Sequence, residues 1–331
     1  TVRGLPHGVL VSPYSDDQVT AALNATGAAA TSADTGSEED LDPMEETEFR
    51  RPEFELLRAQ HDSPWLRIRE PLLDAYAPVI TEHFERVTLV DRLRETRALW
   101  GFSRVYPEPR DGLRVRKEML WADPPAWEHS WLPAYVVHGE GIFLELDAAR
   151  LAAWEADESV RRRVERMDAH YTALRGTRQL RDRAITPRFV LLHTLAHLIM
   201  NRLTFECGYS SAALRERLFV TTGDRPMAAI LIYTASGDAE GTMGGLVRMG
   251  NPGFLEPMLL RALEEAEWCS ADPVCMEVGE AGQGPDSCNL AACHNCCLVP
   301  ETACEEFNRF LDRGLVVGTL TQPGLGFFQL R

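Results

Sequence analysis

The chain has 331 residues, 45% of them hydrophobic and 25% charged, with a formal net charge of −16. That length and apolar content allow a sizeable core and two domains. The acidic balance argues against a nonspecific nucleic-acid coat, which needs a basic surface. Seven of the eight cysteines crowd between Cys269 and Cys304 instead of scattering as in secreted disulfide scaffolds, which points to a reducing, cytoplasmic setting and to metal. The longest apolar run, 189–200, is interrupted by His193, Thr194 and His197 and is too short to cross a bilayer, so no membrane partner is expected. No charged-then-apolar leader is visible, so no secretory signal is expected. Thr1 stands where Met would open a complete chain, as in a processed protein or a piece of a longer one.

Residues 1–20 read as a lead-in. Residues 21–48 read as a flexible linker, with eight acids and no base between Asp34 and Glu48. From Arg50 order resumes. The pattern predicts a short helix over 54–60, a mixed stretch over 71–84, a strand at 87–90, and a helix from Asp91 to about Trp100. That helix would carry Arg92, Arg94 and Arg97. Residues 107–130, rich in Pro and Trp, read as loop. Two strands, 134–137 and 142–146, are expected to join through a hairpin turn at His138-Gly139-Glu140-Gly141. Asp147 should cap a helix over 148–154, and 158–183 reads as a charged helix broken at Gly176.

Thr186 and Pro187 open the clearest helix, which runs to about Glu206 and is ended by Gly208. A short helix from Ser210 to Phe219 should follow, then a strand over 227–233 buried on both faces. A Gly-rich loop over 236–245, an amphipathic helix over 254–268 and a last helix over 301–313 complete the chain. The sum is a mixed α/β chain of the α+β kind, with helices packed on a small sheet. It divides into 1–49 (lead-in and acidic linker), 50–185 (mixed region with arginine-rich helices) and 186–331 (the part that carries the cysteines).

The cysteines carry the strongest chemical signal. Cys293-His294-Asn295-Cys296 is a C-x-x-C knuckle, which puts two sulfurs on one side of a tight turn. Cys275 upstream and Cys304 downstream complete a set of four for one structural Zn²⁺. Cys269 competes with Cys275 for the upstream position, and Cys288 competes more weakly. Cys297 would point away, and Cys207 reads as a packed thiol.

Other groups have bland readings beside sharp ones. His193 and His197 share a helix face but lack the Glu of an H-E-x-x-H metalloprotease, so a packed or hydrogen-bonded role is favoured. With Asp238 and Glu240 of the Gly-rich loop they define the alternative function, a metal-dependent nuclease or other hydrolase. No G-x-x-x-x-G-K-[ST] and no deaminase motif is present. Between 160 and 188 nine arginines face three acids. Arg161, Arg162, Arg175, Arg178 and Arg181 are candidate nucleic-acid contacts, against a solvated face with pairs such as Arg161–Glu165.

Several motifs occur in one order. They are Leu192-His193-Thr194-Leu195-Ala196-His197, Glu206-Cys207-Gly208-Tyr209-Ser210, Glu240-Gly241-Thr242-Met243-Gly244-Gly245, Trp268-Cys269 and Asp272-Pro273, Cys293-His294-Asn295-Cys296, and Leu311-Asp312-Arg313. As a series over roughly 186–315, this resembles the helicase-associated zinc-binding family of unknown function, and within it the DrmB-like proteins of DISARM anti-phage systems. Asp91-Arg92-Leu93-Arg94 and the segment near 135–146 extend the likeness over most of 50–331. The resemblance implies a non-catalytic accessory subunit, a DrmA-like helicase partner that carries the ATPase, and DNA engaged through the complex. Such proteins are usually longer, so this chain reads as a C-terminal part.

Overall fold

A computed structural model describes residues 49–99, 132–177, 183–234, 244–279 and 282–329. The acidic linker, the 107–130 loop, Arg178, Arg181, Asp238 and Glu240 lie outside the described residues. Among the described residues there are six strands: β1 (His61–Asp62), β2 (Leu66–Arg69), β3 (Phe84–Ala98), β4 (Ala134–Leu146), β5 (Leu214–Thr221) and β6 (Met227–Thr234). They form one antiparallel sheet in the order β1-β2-β3-β4-β6-β5. Eight helices accompany it: α1 (Arg51–Leu57), α2 (Pro78–Thr81), α3 (Ala148–Glu155), α4 (Glu158–Thr177), α5 (Pro187–Cys207), α6 (Gly245–Met249), α7 (Leu255–Ala266) and α8 (Arg313–Val317). The expected α+β class with helices on a small sheet is what forms.

Helix α5 is the centre of the packing. The Thr186 hydroxyl accepts from Phe189 N at 3.4 Å, Pro187 stands in the first turn, and Gly208 ends the helix at φ 69°. Every residue from Phe189 to Met200 is buried. A helix without a polar face belongs inside a core, and α5 lies between the sheet and α7, α8. Strand β6 is apolar on both sides for a related reason. Ile230 and Ile232 join the core that contains α5, while Ala229, Leu231 and Tyr233 join a smaller core on the opposite face. Helix α1 covers that second face: Phe54 sets its ring 6.0 Å from Phe143 and 5.9 Å from Phe219. Both the sheet and the larger core draw on residues before and after 185.

Four expectations are corrected. No helix begins at Asp91; β3 continues to Ala98, pairing Leu93 through Ala98 with Gly139 through Ala134 of β4. Exposure alternates along 91–98, so cross-strand pairing overrides a modest helix propensity. His138–Gly141 is not a turn but the middle of β4. A Cβ at Gly139 would lie 1.5 Å from the Thr234 carbonyl oxygen, so the glycine marks a close backbone approach instead of a reversal. Residues 214–221 are strand β5, not helix, after a short 3-10 turn at Ser211–Ala213. Its inward row is Leu214, Glu216 and Leu218, and the acid in the middle hides the alternation. Finally, 301–313 is helical only at the 3-10 turn Glu301–Ala303. Phe307, Asn308 and Phe310 take φ of 54°, 60° and 63°. The buried Asn308 amide accepts from Val299 N at 2.9 Å and donates to Val299 O at 2.8 Å, giving the backbone an alternative to a helix.

Asp312, fully buried, ties these parts together. Its carboxylate accepts from Arg163 of α4 at 2.5 and 3.0 Å, from Ala291 N at 3.2 Å and from Gly314 N at 3.0 Å. Its own N–H donates to the Thr194 hydroxyl of α5 at 2.9 Å.

Gly139→Ala is expected to destabilise the protein by more than about 3 kcal/mol in denaturant unfolding, because main chain must move. Gly176→Ala, in the last turn of α4 with nothing within 4 Å, should stabilise it by about 0.5–1 kcal/mol. His83 stacks 4.6 Å from Phe328, and burial beside Arg150 lowers its pKa from 6.5 to about 4. The unfolded chain therefore takes up this proton first. Stability from His83 is complete above about pH 6.5 and is lost as pH falls toward 4. Unfolding at pH 7 and pH 5 should show His83→Phe losing roughly 2 kcal/mol less than the parent chain.

Candidate metal centre

The zinc ligand set is assembled from two turns. Cys269 and Cys275 bracket the turn after α7, where the Asp272 carboxylate accepts from Cys269 N at 2.8 Å and Met276 N at 3.0 Å. Cys293 and Cys296 come from the knuckle, closed by Cys296 N donating to Cys293 O at 3.2 Å. Cys269 Sγ lies 3.5 Å from Cys293 Sγ, and Cys296 Sγ lies 3.8 Å from both Cys275 Sγ and Cys293 Sγ. All four sulfurs fall within 4.8 Å of one another. Tetrahedral zinc with Zn–S near 2.3 Å requires S···S separations of about 3.8 Å. The donor set therefore fits zinc.

Charge agrees with geometry. A hydrogen bond with the Cys296 thiol, together with burial, pushes the Cys275 thiol up, and burial does the same to Cys269. Crowded thiols resist ionising together, and a divalent cation removes that resistance. Four thiolates and one zinc still leave negative charge. The buried Arg313 guanidinium interacts with Cys296 and is held by Asp272 at 2.5 Å and by the Ala266 carbonyl at 2.7 Å. Four sulfurs also leave no open coordination position, so the centre is built to hold structure.

The spacing argument placed Cys304 in this set; the structure places Cys269 there instead. Cys304 belongs to a second group with His193, His197 and Glu216, all buried. The reason is the loop after Ala303. Without a helix over 301–313, Cys304 turns toward α5, while the Asp272 turn brings Cys269 back to the knuckle. Glu216 was missed because a lone acid in a short segment carries no spacing signal; the inward alternation of β5 was the clue. Cys288 is buried with its thiol on the Asp286 carbonyl at 3.6 Å, and Cys297 packs in the apolar core. His294 is exposed. The Cys207 thiol, half-buried, is pushed up to about 11 by burial. The imidazoles of His193 and His197 are fully enclosed, at 0% side-chain exposure.

The arginines divide. Arg161 and Arg162 are exposed on α4 and pair with Glu158 at 3.6 and 2.6 Å, not with Glu165. Arg163 turns inward to Asp312, and Arg175 is half-buried and engaged with neighbours. On β3, Arg94 lies 4.3 Å over the exposed Trp65 ring, and Arg97 pairs with Glu95 at 2.8 Å.

Residues 195–297 match the family model described as the MrfA Zn-binding domain, so the chain is one that carries a zinc-binding domain of this class. The match encloses all four clustered cysteines. Over 252 residues the chain is also 38% identical to the DISARM protein DrmB of Bacillus paralicheniformis (strain ATCC 9945a / NCIMB 11709 / CD-2). That similarity covers 75% of this chain and 43% of the relative, so the chain spans less than half of that protein's length. Among the described residues no helix is long and apolar enough to cross a membrane.

Cys293→Ser should release the zinc of the four-sulfur centre and lower stability by roughly 5–10 kcal/mol, somewhat below zinc-finger peptides because part of the site is pre-built. Cys207→Ser should keep both zinc content and melting temperature. Metal analysis of purified protein, with thermal unfolding before and after chelation, reads both.

Proposed function

We propose that this chain is a zinc-stapled, non-catalytic accessory subunit of an anti-phage defence complex. The observation that carries this reading is a closed four-sulfur centre in a chain 38% identical to a DISARM protein. Zinc holds the C-terminal loops against α5, and the work of the subunit is binding. The sequence has no Walker-type phosphate loop, which suits a chain whose ATPase is supplied by a DrmA-like helicase partner. Both would act in the cytoplasm, where injected phage DNA is met.

DNA is engaged through the complex, since a net charge of −16 disfavours independent binding by the whole surface. Two basic patches support a local contact. One is the outer face of α4 with Arg161 and Arg162, whose ion pairs with Glu158 are solvent-exposed and weak. The other is β3, where Arg94 lies over the Trp65 ring and Arg92 is exposed on the same face of the strand, an arrangement suited to phosphate contact and base stacking.

Binding of DNA by the helicase–subunit complex should fall steeply with salt. The double variant Arg161→Glu/Arg162→Glu should reduce the slope of log K against log salt by about 2 and keep zinc content unchanged. If the variant instead loses the helicase in co-purification and leaves the salt slope intact, the arginines belong to the subunit interface. If DNA binding is the same with and without this chain, the DNA role is wrong.

A further inference from the structure

The second buried group carries more than a packing role. His193 and His197 are one turn apart on α5, Glu216 lies on β5, and Cys304 follows the turn Glu301–Ala303. One donor atom from each lies within 4.8 Å of every other. His193 Nε2 is 3.1 Å from Cys304 Sγ and 3.1 Å from Glu216 Oε1, and His197 Nε2 is 3.5 Å from Glu216 Oε2.

Proton bookkeeping does not close among these atoms alone. His197 Nδ1 lies 2.9 Å from the Cys297 carbonyl oxygen. A carbonyl only accepts, so a proton sits on Nδ1; burial holds the ring neutral, which leaves Nε2 a bare lone pair. That lone pair faces Glu216 Oε2, another lone pair, and neither atom has a hydrogen bond. Opposed lone pairs in a dry site need a positive charge between them.

The anions make the same demand. Cys304 Sγ receives two backbone N–H groups, from Asn308 at 3.2 Å and Glu306 at 3.4 Å. Burial and the Glu216 carboxylate push this thiol up, so a thiolate at this place needs a cation beside it. Glu216 Oε1 receives Glu305 N at 2.9 Å. A thiolate and a carboxylate side by side in a fully buried pocket repel unless a cation joins them. One divalent ion balances both.

We propose that His193, His197, Glu216 and Cys304 bind a second zinc ion. Two imidazoles, one thiolate and one carboxylate form a borderline donor set that selects zinc and excludes magnesium and calcium. The Nδ1–H to Cys297 carbonyl bond is the outer-shell contact that fixes the tautomer of a metal-bound histidine. Four buried protein ligands fill a tetrahedral shell and leave no open position for water or substrate, so this ion is structural. It clamps α5 to β5 and to the 293–304 loop, whose other end feeds the four-sulfur centre.

Zinc per folded chain, by mass spectrometry of the purified protein, should be two. X-ray absorption at the zinc edge should show a sulfur shell mixed with nitrogen and oxygen. One zinc per chain with an all-sulfur shell overturns the proposal. Glu216→Gln keeps the shape and removes the charge; it should lower the count from two to one and leave an all-sulfur shell. Retention of two ions by that variant places the second ion elsewhere and also overturns the proposal. If the variant does not fold, the count and shell of the parent protein decide. In the complementary variant Cys293→Ser, the remaining ion should show the mixed shell.

Discussion

The structure depends on satisfying three polar side chains inside the otherwise apolar run 189–200 of helix α5. His193, Thr194 and His197 of α5 are all buried, and water reaches none of them. A buried polar group without a partner costs more than a typical hydrogen bond returns. Much of the surrounding chain is routed to answer that cost. Strand β5 turns Glu216 inward, the knuckle offers the Cys297 carbonyl, Cys304 arrives from the loop beyond, and the Asp312 amide reaches Thr194.

The same logic explains how a region of short turns can be rigid. Between residues 282 and 312 the described chain has hardly any regular structure longer than one turn. Its order comes from side chains that stand in for a ladder: Asn289 and Asn308 bond the backbone, Asp312 gathers Arg163, Ala291 and Gly314, and Asp272 with Arg313 frames the sulfur cluster. Zinc at the four-sulfur centre closes a frame that these contacts have already shaped. Such a scaffold holds its loops and helix faces on a rigid frame.

What the sequence discloses follows from whether a signal is local. Helix α5 was legible because Thr186, Pro187 and Gly208 punctuate an unbroken apolar run, and β6 because its apolar run is short and β-branched. The metal region was legible from the knuckle alone. The exchange of Cys304 for Cys269 was not, because it depends on positive-φ residues at 307–310 and on a buried Asn308, which undo an apparently good helix. Strands β3 and β5 were misread for a similar reason. Arg-Glu-rich segments suit a helix when isolated, and only their partners 134–139 and 227–234 make them strands.

The order in which these parts leave the ribosome has its own consequence. Helix α5 is complete by residue 207, yet the groups that answer its polar side chains come from residue 216, residue 297, residue 304 and residue 312. Roughly a hundred residues must be synthesised before the helix can be sealed, and growing chains fold segment by segment from the N-terminus. Until then the imidazoles of the helix lack the partners that they have in the folded chain. The last of these contacts, from the Asp312 amide to Thr194, becomes possible only after residue 312 has been made.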